Sequence, residues 1–294
     1  MRGMSSSLFA QRIAAYFTQA TVSFPPQGGR LHDAQGVRQP SIEVVAETGS
    51  TNGDLMARLA QLDGPLVLIA ERQTAGRGRV GRTWHAEPGA VLTFSLAWRF
   101  HRPLQGLTGL PLACGVALAE TLAGLRVPVQ LKWPNDLLKD GRKLGGMLIE
   151  TAKVAGATTS PQSWAVIGIG INLKEPVQLL TQIGQPVASL DLPDMDGNEL
   201  MGRLIAGLAA AMVQFDQEGL PPFVARWNRL HAHAGKLVRI QDGERVLYEG
   251  CALGISEHGA LLLETTHGIV NVMSGDVSLR AVGDGKEEKH VITG

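Results

Sequence analysis

The sequence predicts an α+β chain in two parts: a large domain of strands interleaved with helices, then a small β-barrel of about 50 residues. Three observations point there. At 294 residues the chain exceeds what one hydrophobic core usually serves. From residue 41, short apolar runs alternate with stretches of helical spacing. After Gly235 the texture changes to short β runs split by Asp-Gly, His-Gly and Ser-Gly turns, as in a small barrel.

The elements follow in order. Residues 1–40 are an extension low in pattern, read as flexible: a frayed helix around "LFAQRIAAYF" and a linker-like "FPPQGG". Arg2, Arg12 and Arg30 all precede the first acid, Asp33, a trait shared with transit peptides, but the frayed helix is the reading adopted. Residues 41–234 form the main domain. "SIEVVAET" alternates as a strand, "NGDLMARLAQL" has helical spacing, and "GPLVLIAE" and "GAVLTFSLAWRF" are strands. "GLTGLPLACGVALAETLAGL" is apolar enough to suggest a membrane span, but Pro111 and Glu120 interrupt it and a buried helix fits better. "VQLKW" is a strand, and "DLLKDGRKLGGMLIET" is a hairpin turning at Asp140-Gly141. "SWAVIGIGINL" is a strand. "GNELMGRLIAGLAAAMVQFDQEG" is an amphipathic helix ending at Gly219. "PPFVARWNRLHAHAG" is a helix begun by prolines and stopped at Gly235. Residues 235–283 make the barrel, and 284–294 read as a disordered tail.

Hydrophobic residues at 44% and charged residues at 18% are ordinary for a globular protein and argue against disorder. Lys plus Arg is 27 and Asp plus Glu is 27, a balance with no general pull toward nucleic acid or an acidic membrane. Cys114 and Cys251 have neither metal nor redox spacing, so reduced thiols and a cytoplasmic setting are expected. His231 and His233 could share a metal only with a third ligand, which the sequence does not place nearby.

Against this neutral background "QTAGRGRVGRTWH" concentrates charge locally. Gly76, Gly78 and Gly81 satisfy G-x-G-x-x-G, and Gly76 to Thr83 nearly matches a P-loop with Arg82 in place of lysine. Both motifs need a helix N-terminus next, and "TWHAEPGAV" supplies none. A solvated surface turn is the plain alternative. What weighs against it is the company: Arg77, Arg79 and Arg82 offer planar forks for carboxylate or phosphate. Trp84 offers a flat face, "KWPND" brings Lys132, Asn135 and Asp136 to a strand end, Lys143 in "RKLGG" adds a cation where glycines allow close approach, and Asn172 ends an apolar strand. Basic groups, amides and glycines recurring at strand ends suggest one pocket for a small anion and a nucleotide.

Together, "ETGSTN", "ERQTAGRGRVGRTW", "KWPNDLL", "RKLGGMLIE" and "GIGINL" resemble, in order and spacing, the successive motifs of the biotin protein ligases (biotin–[acetyl-CoA-carboxylase] ligases). The resemblance runs from about residue 43 to 281. It implies a mixed β-sheet flanked by helices, the class II synthetase-like or biotin/lipoate ligase fold, with a C-terminal SH3-like β-barrel. It implies adenylation of biotin by ATP with Mg²⁺, then transfer to one lysine of a biotin carboxyl carrier protein. By motif, Ser50, Thr51 and Asn52 would line the biotin head and Gln73 would hydrogen-bond its ureido region. Arg77, Gly78 and Arg79 would wrap biotin and the acyl phosphate. Trp84 would cover the adenine side with Arg82 nearby. Lys132, Asn135 and Asp136 would meet phosphates and metal, Lys143 the biotin carboxylate, and Asn172 adenine. Lys143, Arg79 and Lys132 are the expected catalytic residues.

Two departures from the family pattern stand out. Gly53 occupies a place where a bulkier helix-starting residue is expected. About 40 residues precede the first core strand, with no helix-turn-helix pattern or basic stripe, so DNA binding as a biotin-responsive repressor is not expected. A lipoate-type ligase is the rival reading within the superfamily. A homodimer through exposed sheet edges is left open.

The implied chemistry makes sense of the residues. A carboxylate must approach the triphosphate of ATP, and two unit charges at about 4 Å repel by roughly 4 kcal/mol at an effective dielectric near 20. Cations between them lower that barrier. The acyl adenylate formed is hydrolysable, so a glycine-rich arginine loop acting as a mobile cover is expected.

Overall fold

The computed structural model describes residues 8–23, 39–85, 88–154, 162–174, 187–275 and 277–281. The expected disordered tail lies outside them, as does the "FPPQGG" linker.

Chain order runs α1 (Ala10–Ser23), β1 (Ser41–Thr48), α2 (Thr51–Arg58), β2 (Leu66–Gln73), β3 (Val91–Phe100), α3 (Leu110–Gly124), β4 (Gln130–Lys132), β5 (Asp136–Lys139), β6 (Arg142–Lys153) and β7 (Ser163–Asn172). It continues with α4 (Gly197–Glu218), α5 (Pro221–Leu230), β8 (Leu237–Asp242), β9 (Arg245–Ile255), β10 (Leu261–Thr265), β11 (Gly268–Val272) and β12 (Ser278–Ala281). The first seven strands form a mixed sheet in the order β1-β2-β3-β7-β6-β5-β4. Only β1 and β2 run parallel; every other pair is antiparallel.

The β5–β6 hairpin turns where the sequence puts it. Asp140 and Gly141 both take positive φ, 53° and 72°, as a type I′ turn demands. α3 is buried along most of its length. The stretch Leu104–Gly124 is long and apolar enough to cross a membrane, but here Leu112, Val116 and Leu118 belong to the shared core with Leu131 and Met147 of the sheet.

The N-terminal extension needs correction. α1 is not frayed: Ile13, Phe17 and Ala20 are buried, and their spacing makes one helical face. That face docks on α4 at Gly202, where an added Cβ would lie 2.5 Å from Tyr16 Cβ. Arg12 pairs with Asp196 at 2.5 Å, and Asp196 also caps α4 by accepting from Asn198 N at 3.0 Å.

α5 also differs: it stops at Leu230 rather than Gly235. His231 forms a bridge to Leu131, and Ala232 N donates to Leu131 O at 2.9 Å. Pairing with β4 thus pulls residues 231–234 out of the helix.

The C-terminal strands form an antiparallel sheet in the order β11-β10-β9-β8-β12. The expected SH3-like barrel is not closed among the described residues, because β11 and β12 remain unpaired edges. The apolar face of this sheet is covered from outside. Val238, Ile240, Ala252, Leu261 and Leu279 join the same core as the large sheet, and Trp133 Nε1 donates to Gly259 O at 3.3 Å. Cys114 is buried, Cys251 half-buried, and both are free thiols.

Candidate active site

Parallel pairing of β1 and β2 brings their carboxyl ends together, Thr48 opposite Gln73. The two segments that follow, Ser50–Asn52 and the arginine loop, therefore start side by side. Ser50 caps α2: its side chain accepts from Gly53 N at 3.4 Å. Gly53, the departure from the family pattern, does not prevent the helix from starting at Thr51. Thr51 and Asn52 are buried in the first turn. Gln73 Oε1 accepts from Thr51 N at 2.8 Å and lies 3.0 Å from Thr51 Oγ1.

The loop after β2 folds back on itself. Thr74 N and Ala75 N donate to Thr48 O and Gly49 O. Gly78 N donates to Arg82 O at 2.7 Å and Trp84 N to Gly76 O at 2.9 Å. Val80 and Gly81, with φ of 55° and 67°, make the tip. No helix follows among the described residues, as the sequence requires. Arg77 pairs with Glu150 at 2.8 Å. Arg79 donates from Nη1 to Asn135 Oδ1 at 3.1 Å, and from Nη2 to Ser274 Oγ at 3.4 Å and to Gly275 O. Arg82 is exposed.

The glycines of "GIGIN" make room for two of these groups. A Cβ at Gly168 would lie 2.3 Å from Asn52 Oδ1, and one at Gly170 would lie 2.3 Å from the Trp84 indole. Trp84 thus rests against β7 at Gly170, with Lys143 Nζ 5.8 Å from its ring centre, close enough for a cation–π attraction. Lys143 Nζ also lies 2.7 Å from Asp136 Oδ1. Asn135, in the β4–β5 turn, donates to Met147 O at 2.7 Å. Asn172 ends β7 and donates to Ala188 O at 3.0 Å and Lys143 O at 3.3 Å.

The site residues named from the sequence meet around one cavity of about 630 Å³. Ser50, Thr51, Asn52, Gln73, Arg77, Gly78, Arg79, Arg82, Trp84, Lys132, Asn135, Asp136, Lys143 and Asn172 all line it. No site residue named from the sequence falls elsewhere. Sequence reasoning missed the wall from the C-terminal sheet: Gln241, Gly243, Leu279 and Arg280. Nothing local marks them, since only tertiary packing carries them there. A smaller cavity of about 440 Å³ shares the arginine loop as a wall and is also lined by Glu150, Pro111 and Ser274.

Among the described residues Asp136 is the sole carboxylate on the larger cavity's wall, and it is already paired with Lys143. Among the described residues no three His, Cys, Asp or Glu side chains cluster to hold a metal, so His231 and His233 have no third ligand. A single wall carboxylate still fits Mg²⁺ carried in on phosphates, a mode that needs only one or two protein ligands.

A cavity walled by lysines, arginines and amides at strand ends, beneath a glycine-rich flap, is that of an enzyme bringing two anions together. Comparison with known proteins makes the class specific. Residues 43–172 match the biotin/lipoate A/B protein ligase family and residues 233–280 the biotin protein ligase C-terminal domain. The chain is 38% identical over 247 residues to the bifunctional ligase/repressor BirA of Escherichia coli, covering 82% of this chain and 74% of that one. It is 37% identical over 246 residues to the biotin–[acetyl-CoA-carboxylase] ligase of Mycobacterium tuberculosis, covering 80% and 88%. Among solved structures, the biotin protein ligase of Aquifex aeolicus in complex with biotin and ATP superposes with a TM-score of 0.67 at 26% identity, covering 82% and 99%. The chain belongs to the biotin/lipoate A/B protein ligase family.

Proposed function

We infer that this protein is a biotin–[acetyl-CoA-carboxylase] ligase: it activates biotin with ATP to biotinyl-5′-AMP and transfers biotin to one lysine of a biotin carboxyl carrier protein. The observation that carries this reading is the convergence of all five sequence motifs on one cavity.

In the first step a biotin carboxylate oxygen bonds to the α-phosphorus and the bond to the leaving pyrophosphate breaks. Lys143 would meet the carboxylate. Arg77 and Arg79 would close over the acyl phosphate, and Lys132 and Asn135 would meet the phosphates. Such cations act on charge that builds at phosphorus and on the leaving group. The substrate supplies its own nucleophile, so no activated serine or cysteine is required. Mg²⁺, held at Asp136, would neutralise part of the triphosphate charge. Trp84 and Asn172 would hold the adenosine side, while Ser50, Thr51, Asn52 and Gln73 would hold the biotin head. In the second step the neutral amine of the acceptor lysine attacks the acyl carbon, an amide forms, and AMP leaves. Until then the flap keeps water from the anhydride.

Catalytic work is assigned to residues 41–234, with 235–283 completing the cavity rim. We place the reaction in the cytoplasm, where ATP and reduced thiols coexist. DNA binding is no part of this reading, and a gel-shift with the protein's own promoter tests it. A homodimer is compatible: beyond Met147, β6 is paired only with β7 among the described residues, leaving an edge that could pair. Sedimentation with and without ligand tests it.

The deciding experiment mixes the protein with ATP and either biotin or lipoate and looks by mass for the adenylate. Biotinyl-adenylate is expected; lipoyl-adenylate alone would overturn the reading.

A further inference from the structure

β4 is three residues long and carries Lys132 at its end. On one side it pairs with β5. On the other, the only bridge it makes among the described residues is with the segment just after α5: His231 bridges Leu131, and Ala232 N donates to Leu131 O at 2.9 Å. The same segment is tied to the C-terminal sheet, with Gly235 N donating to Ala252 O at 2.8 Å and Ala252 N to Lys236 O at 3.0 Å. Residues 231–236 therefore flank the strand that brings Lys132 to the cavity wall.

The ring at the head of this segment is poorly placed to carry a charge. His231 is only 5% exposed and packs on Trp227; among the described residues neither of its nitrogens has a hydrogen-bond partner. No anion stands ready to receive a proton there. α5 and β4 contain no acid, nor does the run 231–236. Arg229 and Lys132 on those two elements are cations, as is Lys236, and the ring of His233 lies 6.1 Å away. Acids on the elements beyond are committed elsewhere: Glu120 of α3 to Arg226, and Glu249 of β9 to Arg239. On β9 Cys251 is a thiol, and Glu257, in the turn that follows, is 76% exposed beside His258. The face of Trp227 attracts an imidazolium, but by less than burial of an unpaired ion costs. Burial first, then His233 and Lys236, lowers the pKa of His231 to about 4.

We propose that His231 is a proton-sensitive latch: taking up a proton expels its ring, releases residues 231–236 from Leu131 and loosens the strand that carries Lys132, so that protons and nucleotide oppose each other in this protein. The latch acts on catalysis through the assignment of Lys132 to the nucleotide phosphates, on which this inference rests. A latched ring stays neutral down to about pH 4, whereas a released one takes the proton near pH 6.5, roughly the value for a free imidazole. Latching is thus fully supported above about pH 6.5 and weakens as pH falls toward about 4. Nucleotide that grips Lys132 favours the latched form, and by reciprocity the protonated form holds nucleotide less tightly.

Amide hydrogen exchange on the whole protein reads the latch directly. Corrected for intrinsic rates, protection of the Ala232 and Gly235 N–H groups should fall about tenfold between about pH 7.5 and about pH 5.5. Amides at the centre of the β3–β7 ladder should keep theirs. His231→Phe and His231→Gln cannot take the proton and should show no such fall; one folded variant of the two suffices. Saturating ATP with Mg²⁺ at the lower pH should restore protection in the unaltered protein but not in Lys132→Ala. An equal fall in a folded His231 variant, a fall spread over all amides, or protection that ATP leaves unchanged would overturn the proposal. If Lys132→Ala binds ATP as tightly as the unaltered protein, the phosphate assignment beneath the proposal fails, a result separable from the exchange shift.

Discussion

Lys143 Nζ and Asp136 Oδ1 lie 2.7 Å apart across adjacent strands, with side chains only 21% and 17% exposed. The carboxylate holds the ammonium at the cavity wall, beside Trp84, before any substrate arrives. Held there, the lysine would meet an incoming carboxylate without first being ordered, which would lower the cost of reaching the reactive arrangement.

Lys143→Ala should therefore nearly abolish the first step, by about 10²- to 10³-fold in kcat, the usual cost of losing one preorganised group that stabilises developing charge. Asp136→Asn should cost less, because the lysine remains. Pyrophosphate release reads both. Normal release from Lys143→Ala would remove its role.

Arg79→Gly should loosen the flap, since it deletes the contacts to Asn135, Ser274 and Gly275. Activated biotin should then escape and label bystander amines. Incubation with an unrelated lysine-rich protein and detection of attached biotin reads this. Equal labelling by the variant and the unaltered enzyme would count against it.

Gly170→Ala places a methyl group 2.3 Å from the Trp84 ring. The indole must move, at a cost of about 1–3 kcal/mol for such overpacking. KM for ATP should rise about tenfold if the ring's place matters at roughly that energy, with Trp fluorescence shifted. An unaltered KM would separate Trp84 from nucleotide binding.

Stability should fall in mild acid through His231. Burial, then the neighbouring charges of His233 and Lys236, lower its pKa to about 4, against roughly 6.5 in an unfolded chain. Its ring packs 4.6 Å from that of Trp227, and among the described residues its nitrogens find no hydrogen-bond partner. The folded state keeps it neutral, so the unfolded chain binds the proton more readily and stability rises with pH. The contribution is complete above about pH 6.5 and is lost as pH falls to about 4, on the order of 3 kcal/mol. Glu43, lowered by its hydrogen bond to Arg58, adds a loss at still lower pH. Urea titrations of the protein and of His231→Phe across this range read the effect. An equal slope in both would show that other groups carry it.

The sequence made the site legible because its chemistry sits at strand ends, where motif and position coincide. Lys132 and Asn172 each close an apolar strand, Asn135 sits in the turn between two strands, Lys143 stands just ahead of a glycine pair at a strand start, and the turn at Asp140-Gly141 reads directly from its dipeptide. What escaped notice lacked a local signature. Ile13, Phe17 and Ala20 do recur at helical spacing, but in a segment whose Ser and Pro neighbours suggest a linker. Closure of the barrel was expected from its turns, whereas the open sheet depends on a neighbour covering its apolar face. Glu150 follows an apolar run like any surface residue on a strand, and its partners Arg77 and Asn52 lie 73 and 98 positions away.

Arg79 grips Asn135 with one nitrogen and the backbone and hydroxyl near Ser274 with the other. A fusion tag or truncation placed within a few residues of position 275 would thus reach the reaction through a single side chain. An insertion in the loop after β11 should therefore change the lifetime of the enzyme-held adenylate even if it never touches the cavity.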